Sequence, residues 1–215
     1  MRVDMVAVNF LGIKLRMYSL RRLMGNFKKR TQERERAQYL YICSVEQARQ
    51  TKFYTVCGVA DTLDGRFDLI VVHVHLLTRA LSHAGTSGTR ISGLIFKIMM
   101  DDMDMNLREM GVGDLSVGKK VKAMARAFYG RAAAYDRALD ADTVNLSDRS
   151  RESENTVPEA LEDVVNRNIF GLKPPKPLQV PLLASYIREV DRSLREIGTE
   201  TLLSGTFSFS EIPEQ

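Results

Sequence analysis

Asp61 to His83 read DTLDGRFDLIVVHVHLLTRALSH, and this stretch decides the fold. Phe67, Ile70, Val71, Val74, Leu77 and Leu81 recur every three or four residues, the period of one helix face. Leu69, Val72, Leu76 and Ala80 cover a second face. A helix that is apolar nearly all round belongs in the middle of a bundle. Its valines alone would also suit a buried strand. The length of the stretch and its polar ends decide for helix, with Asp61 or Thr62 at its start. The longest apolar run, Leu69 to Leu77, is nine residues and includes His73 and His75. A membrane-spanning helix needs about 20 apolar residues.

Outward from there, Thr31 is placed to cap a helix to about Gln50, with Glu33 and Glu35 in its first turn. Tyr39, Ile42, Cys43 and Ala48 mark its inner side, and Phe53 to Val59 form a short connecting piece. AGTSGT, Ala84 to Thr89, reads as a loop after which Thr89 caps a third helix to Met110. Gly111 to Asp114 ends that helix through glycine chemistry. Ser116 starts a fourth helix to about Leu139, with Val117, Val121, Met124, Phe128, Ala132 and Tyr135 on its stripe. Residues 140–156 read as an acidic connector. Pro158, after Thr156, opens a short helix to Ile169. LKPPKP at 172–177 is an extended strap, and Pro181 opens a last helix to about Ile197. The expected fold is all-α: one helical-bundle domain of about six helices over residues 29–197. A basic extension (1–28) precedes it and a loose tail (198–215) follows.

Composition excludes several classes. With 215 residues, 44% of them hydrophobic, the chain can bury a core without disulfides or a structural metal. The net charge of +4 is too mild to argue for nucleic-acid binding. Its distribution is uneven: residues 1–60 hold 12 Lys/Arg and 4 Asp/Glu, and residues 138–165 hold 2 and 8. A positive N-terminal region suits an anionic membrane or the ribosome. It equally suits a solvated helix face. Residues 1–23 read either as a basic amphipathic segment or as an upstream extension before a start at Met24. Neither Cys43 and Cys57 nor the start of the chain suggests a secreted protein, and a reducing compartment is expected.

Four motifs invite chemistry. Gly113 to Lys119 reads G-x-x-x-x-G-K, nearly a phosphate-binding loop. Lys120 stands where magnesium needs a Ser or Thr, and a helix precedes where a strand is required. The plainer reading is a helix corner with Lys119 and Lys120 in solvent. DDMDM, Asp101 to Met105, resembles the paired aspartates of helical magnesium enzymes but lacks the fifth-position carboxylate. Asp104 lies four before Arg108, which suits a surface ion-pair ladder. His73 reads as a core histidine, and His75 lies nearer a polar edge. Met99, Met100, Met103, Met105 and Met110 are half of the ten methionines. They suit core filling or an adaptable apolar surface, and Met103 and Met105 are the candidates for the exposed part.

FYTVCGVADTLDGRFDLIVVHVHLLTRAL from Phe53 and DMDMNLREMGVGDLSVGKKVKAMARAFYGRAAAYDRAL from Asp102 resemble the ubiquinol–cytochrome c chaperone family. The resemblance covers about residues 35–195. Its specific elements are D-G-R-F-D at Asp64 to Asp68 and L-R-E-M-G-V-G-D at Leu107 to Asp114. It implies an all-helical fold, no catalysis and no cofactor. It also implies a role in assembling the cytochrome bc complex by binding cytochrome b or another subunit, with a partner assembly factor. The chain looks like a bacterial member, in the cytoplasm or peripheral to the cytoplasmic face of the inner membrane; a eukaryotic one would sit in the mitochondrial matrix. The partner surface this implies comprises Asp64, Arg66, Phe67 and Asp68. To these it adds Met103, Asp104, Met105, Arg108, Glu109, Gly111, Gly113 and Asp114 near the corner, with Lys119 and Lys120 beyond. Arg66 is expected to pair with Asp104 or Glu109. A lipid or quinone carrier and, further off, a metal-dependent enzyme using Asp101, Asp102 and Asp104 are the alternatives.

Overall fold

The computed structural model of the chain describes residues 30–147, 159–171 and 175–212. The basic extension, Thr156, Pro158, most of the connector and the first residues of the strap lie outside them. Among the described residues there is no strand. The helices are α1 (residues 30–48), α2 (Thr51–Thr55), α3 (Leu63–Ser82), α4 (Gly85–Glu109) and α5 (Asp114–Ser147). They continue with α6 (Leu161–Val165), a π-helical turn (Asn166–Phe170), α7 (Gln179–Glu196) and α8 (Thr199–Ser204).

Central α3 packs against α4, α5, α7, the π-helical turn and α8. Thr62 caps it by accepting a hydrogen bond from the Gly65 amide at 3.2 Å. Both of its expected apolar faces are buried, Leu69, Val71, Val74, Leu77 and Leu81 completely. His73 is buried as well, with its ring saturated. Nδ1 lies 2.7 Å from the Leu69 carbonyl and Nε2 lies 2.9 Å from the Tyr186 hydroxyl. Phe53, Tyr186 and Phe209 box the imidazole. His75 is also buried rather than at an edge, with Nε2 3.2 Å from Asp136.

The boundaries differ most from expectation in four places. Helix α1 is already under way at residue 30, so Thr31 is not its cap, and Tyr39 and Ile42 face outward while Ala37, Leu40, Tyr41 and Val45 face in. Helix α4 starts at Gly85, not Thr89. Its buried stripe begins at buried Gly88 and continues through Ile91, Ile95, Met99, Met103 and Leu107. Packing on α3 overrides the poor helix propensity of the Gly-Thr-Ser-Gly start. Helix α5 runs to Ser147, through the first half of the expected connector. There Arg79 pairs with Asp136 and Asp140, and Arg188 holds Asp142 at 2.6 Å and Glu162 at 2.7 Å. Finally, the expected loose tail carries α8. Phe207 and Phe209 pack on the core, Ile212 is buried, and Gln47 donates to the Ser210 carbonyl at 3.3 Å.

Candidate functional site

The start of α3 and the end of α4 come together beside the α1–α2 junction. Capping by Thr62 places Asp64 to Asp68 in the first two turns of α3, where Asp64 complements the helix dipole. Phe67 points into the core. Arg66 stays exposed and donates to Asp61 at 2.6 Å. That corrects the expected pairing with Asp104 or Glu109, because the chain before α3 brings a carboxylate only five residues back. Asp68, one turn further on, is buried. Its Oδ1 lies 2.8 Å from Nη2 of Arg131 on α5, within ion-pair distance but without hydrogen-bond alignment. The same guanidinium stands 5.8 Å from the centre of the Phe67 ring. Burial pushes the Asp68 carboxyl up to about 7, with Arg131 pulling the other way.

At the end of α4 the acidic strip resolves into separate pairs. Lys97 donates to Asp101 at 2.6 Å, and Arg108 pairs with Asp104 and, across the corner, with Asp114. Asp102 turns inward and accepts from the Tyr41 hydroxyl at 2.6 Å and from the Asn106 amide at 3.1 Å. Burial and this carboxylate raise the Tyr41 phenol. Among the described residues no group of three or more His, Cys, Asp or Glu could hold a metal ion. Gly111, at φ +82°, closes the helix: its amide bonds the Arg108 carbonyl at 2.9 Å, and that of Val112 bonds Leu107 at 3.0 Å. This is the paired hydrogen-bond pattern of a glycine-terminated helix. Helix α5 then begins at Asp114, so Asp114 to Lys119 are helical and form no loop that could cradle a phosphate.

Between these elements lies a cleft of about 120 Å³, lined by Ala48, Arg49, Tyr54, Leu63, Arg66, Phe67, Ile70, Asp102, Met103 and Asn106. Phe67, Ile70 and Met103 are its apolar part, Leu63 is half exposed, and Arg49 and Arg66 are exposed cations at the same opening. Of the expected residues, Arg66, Phe67 and Met103 therefore meet here. Met103 was expected on an exposed strip, but it is buried; of the five clustered methionines, Met105 and Met110 are the exposed ones. Asp104, Arg108 and Asp114 form the corner ion pairs, with Glu109 exposed beside them. Lys119 and Lys120 are exposed on α5 and do not reach the cleft. Arg49, Tyr54, Leu63 and Arg131 were missed. Only Leu63, an apolar residue directly after the cap Thr62, carried a signal in the sequence.

The fold and site define an all-α bundle that offers an arginine-flanked apolar cleft and a methionine edge. The chain belongs to the ubiquinol–cytochrome c chaperone family, whose profile matches residues 55–209. It is 23% identical over 177 residues to ubiquinol–cytochrome c reductase complex assembly factor 1 of Xenopus laevis, covering 82% of this chain and 81% of that protein. The human protein of that name is 24% identical over 177 residues; the chain spans only 54% of its length, and 55% of the mouse protein's. A crystal structure of a Cbp3 homolog from Brucella abortus superposes with a TM-score of 0.72 at 29% identity, covering 88% of this chain and 97% of that one. The family and these curated relatives are named for chaperone and assembly functions, and no enzymatic family is indicated. Among the described residues no helix is long and apolar enough to cross a membrane.

Proposed function

We propose that this protein is a non-catalytic assembly chaperone that holds an apolar segment of a membrane subunit of the ubiquinol–cytochrome c reductase complex, cytochrome b, during assembly. The carrying observation is the apolar cleft between the start of α3 and the end of α4, with exposed Met105 on the same stretch of α4 and exposed Met110 at its end. A client side chain entering beside Phe67, Ile70 and Met103 leaves water, while Arg49 and Arg66 hold a carboxylate or carbonyl of the client at the rim. Methionine suits this task because its unbranched thioether adapts to varied apolar shapes. Burying Met105 and Met110 contributes on the order of 1–2 kcal/mol each. Together they add about 2–4 kcal/mol to what the cleft contributes, and loss of that increment weakens the client's hold by roughly 30-fold or more. A cleft of 120 Å³ accepts a side chain.

In this reading Asp64, Asp68, Asp104, Arg108, Glu109, Gly111, Gly113 and Asp114 shape the partner surface. The basic N-terminal region brings the complex to the ribosome or to the cytoplasmic face of the inner membrane, where a partner assembly factor joins it. The test replaces Met105 and Met110 together with glutamate. Both are exposed, so the melting temperature should hold while recovery of assembled cytochrome bc complex falls. Assembly at the wild-type level would sink the proposal. Met103→Glu is not a substitute, since it would bury a carboxylate and test the fold instead.

A further inference from the structure

The amino-terminal half of α5 carries charge that the fold does not use. From Leu115 to Tyr135 the sequence holds five basic residues and not one Asp or Glu. Leu115, Lys119, Lys122, Arg126 and Tyr129 follow one another at spacings of four and three, which puts them along a single face about 21 Å long. All five are exposed, Leu115 completely, while Val117, Phe128, Ala132 and Tyr135 take the buried side of the same helix. Arg131 is engaged with Asp68. Lys119, Lys120, Lys122 and Arg126 have no carboxylate partner among the described residues; the Arg126 guanidinium reaches only the Lys122 carbonyl, at 3.5 Å. Asp114, the acid at the start of the helix, is already matched by Arg108.

We infer that this face lies flat on an anionic phospholipid bilayer. The lysines and Arg126 meet lipid phosphates, Leu115 enters the boundary between headgroups and acyl chains, and the exposed Tyr129 ring takes an interfacial position supported from behind by Phe96 at 4.9 Å. The apolar members choose lipid over nucleic acid. A fully exposed leucine at the leading end gains nothing against a phosphodiester backbone and is buried by a membrane. The inference is independent of the client reading, since it uses neither the cleft nor the methionine edge.

Full-length protein mixed with sedimenting vesicles tests it, comparing pure phosphatidylcholine with a phosphatidylcholine–phosphatidylglycerol mixture at two salt concentrations. Binding should require phosphatidylglycerol and weaken with salt. Lys119→Glu/Lys122→Glu should lower the partition at least about 25-fold, given roughly fivefold for each of the two basic residues removed from the surface. Leu115→Glu should lower it by about tenfold at unchanged melting temperature. Arg192→Glu, an exposed position on α7, serves as the control and should bind like wild type. Wild-type binding by the α5 variants would place the contact elsewhere on the chain and overturn the inference. So would absence of vesicle binding altogether, or lysine variants that lose binding to ribosomal RNA while vesicle binding stays the same.

Discussion

Above the range in which the paired carboxylates titrate, acid should destabilise this protein through His73. Its ring is fully buried, with one nitrogen at the Leu69 carbonyl and the other at the Tyr186 hydroxyl, which in turn accepts from Gln47 at 2.9 Å. With Nδ1–H donating to Leu69, Nε2 accepts from Tyr186, and the neutral ring is fully bonded. Burial lowers its pKa from 6.5 to about 4. The native imidazole therefore stays neutral in a range where the unfolded chain binds a proton. Stability is complete above 6.5 and is lost as pH falls through the window down to about 4. Each pH unit there costs about 1.4 kcal/mol, roughly 3 kcal/mol in all. Asp68 opposes this trend, because its raised pKa makes the native state bind a proton that the unfolded chain has released. The clean observable is therefore a difference. Urea unfolding of wild type and His73→Gln, measured from pH 7 to pH 4, carries the Asp68 contribution in both proteins and cancels it. Glutamine keeps a donor and an acceptor but does not titrate. The gap between the two unfolding free energies should be flat above 6.5, and wild type should lose ground steadily below it. A constant gap over the whole range would refute the buried neutral imidazole.

Leu77→Ala leaves a cavity at the centre of α3 and should cost about 2–5 kcal/mol, read as a lowered urea midpoint with unchanged slope. Arg66→Ala should leave the melting temperature near wild type, since the side chain is exposed and its partner Asp61 is equally solvated. The same variant should reduce recovery of assembled complex, and full assembly would remove Arg66 from the client site.

Helix α3 was legible because one signal, an unbroken apolar run behind a capping threonine, carried the whole element. The ends of α4 and α5 were not, because their cause is remote. Gly85 to Gly88 are helical only because α3 lies underneath, and Asp140 and Asp142 stay helical beside arginines of α3 and α7. Phe207 and Phe209 show the same limit: two phenylalanines in a short polar stretch mean little until His73 supplies a ring to pack on. At the candidate site, D-G-R-F-D identified the right turn of α3 but not the partners of its charges. Arg66 found a local carboxylate, and Asp68 found Arg131 more than sixty positions away. The methionine cluster hid a phase problem. Met103 and Met105 are two residues apart on a helix, so one must face the core when the other faces water.

The division of charge along α5 ties these observations to function. Apart from Asp114 at its first residue, which Arg108 pairs, its carboxylates Asp136, Asp140 and Asp142 lie in the carboxyl-terminal half and are taken by Arg79 and Arg188. Arg79 also reaches Asp191, which in turn pairs with Arg195. These pairs link α3, α5, α6 and α7, so one end of the bundle is held by charge as well as by packing. The amino-terminal half of α5 has lysines without a carboxylate partner among the described residues, an exposed leucine and, across the corner, two exposed methionines. Arginine suits the first role because its planar fork bonds several carboxylates at once, and lysine suits the second because a mobile point charge meets many anionic surfaces. A protein built only for stability has little reason to leave α5's lysines unpaired while committing Arg79 and Arg188 to several acids each. The separation makes sense if the arginine-stitched end is scaffold and the corner between α4 and α5 meets other molecules. The apolar cleft, the methionine edge and the basic face all lie toward that corner, as a chaperone holding an apolar chain beside a membrane requires.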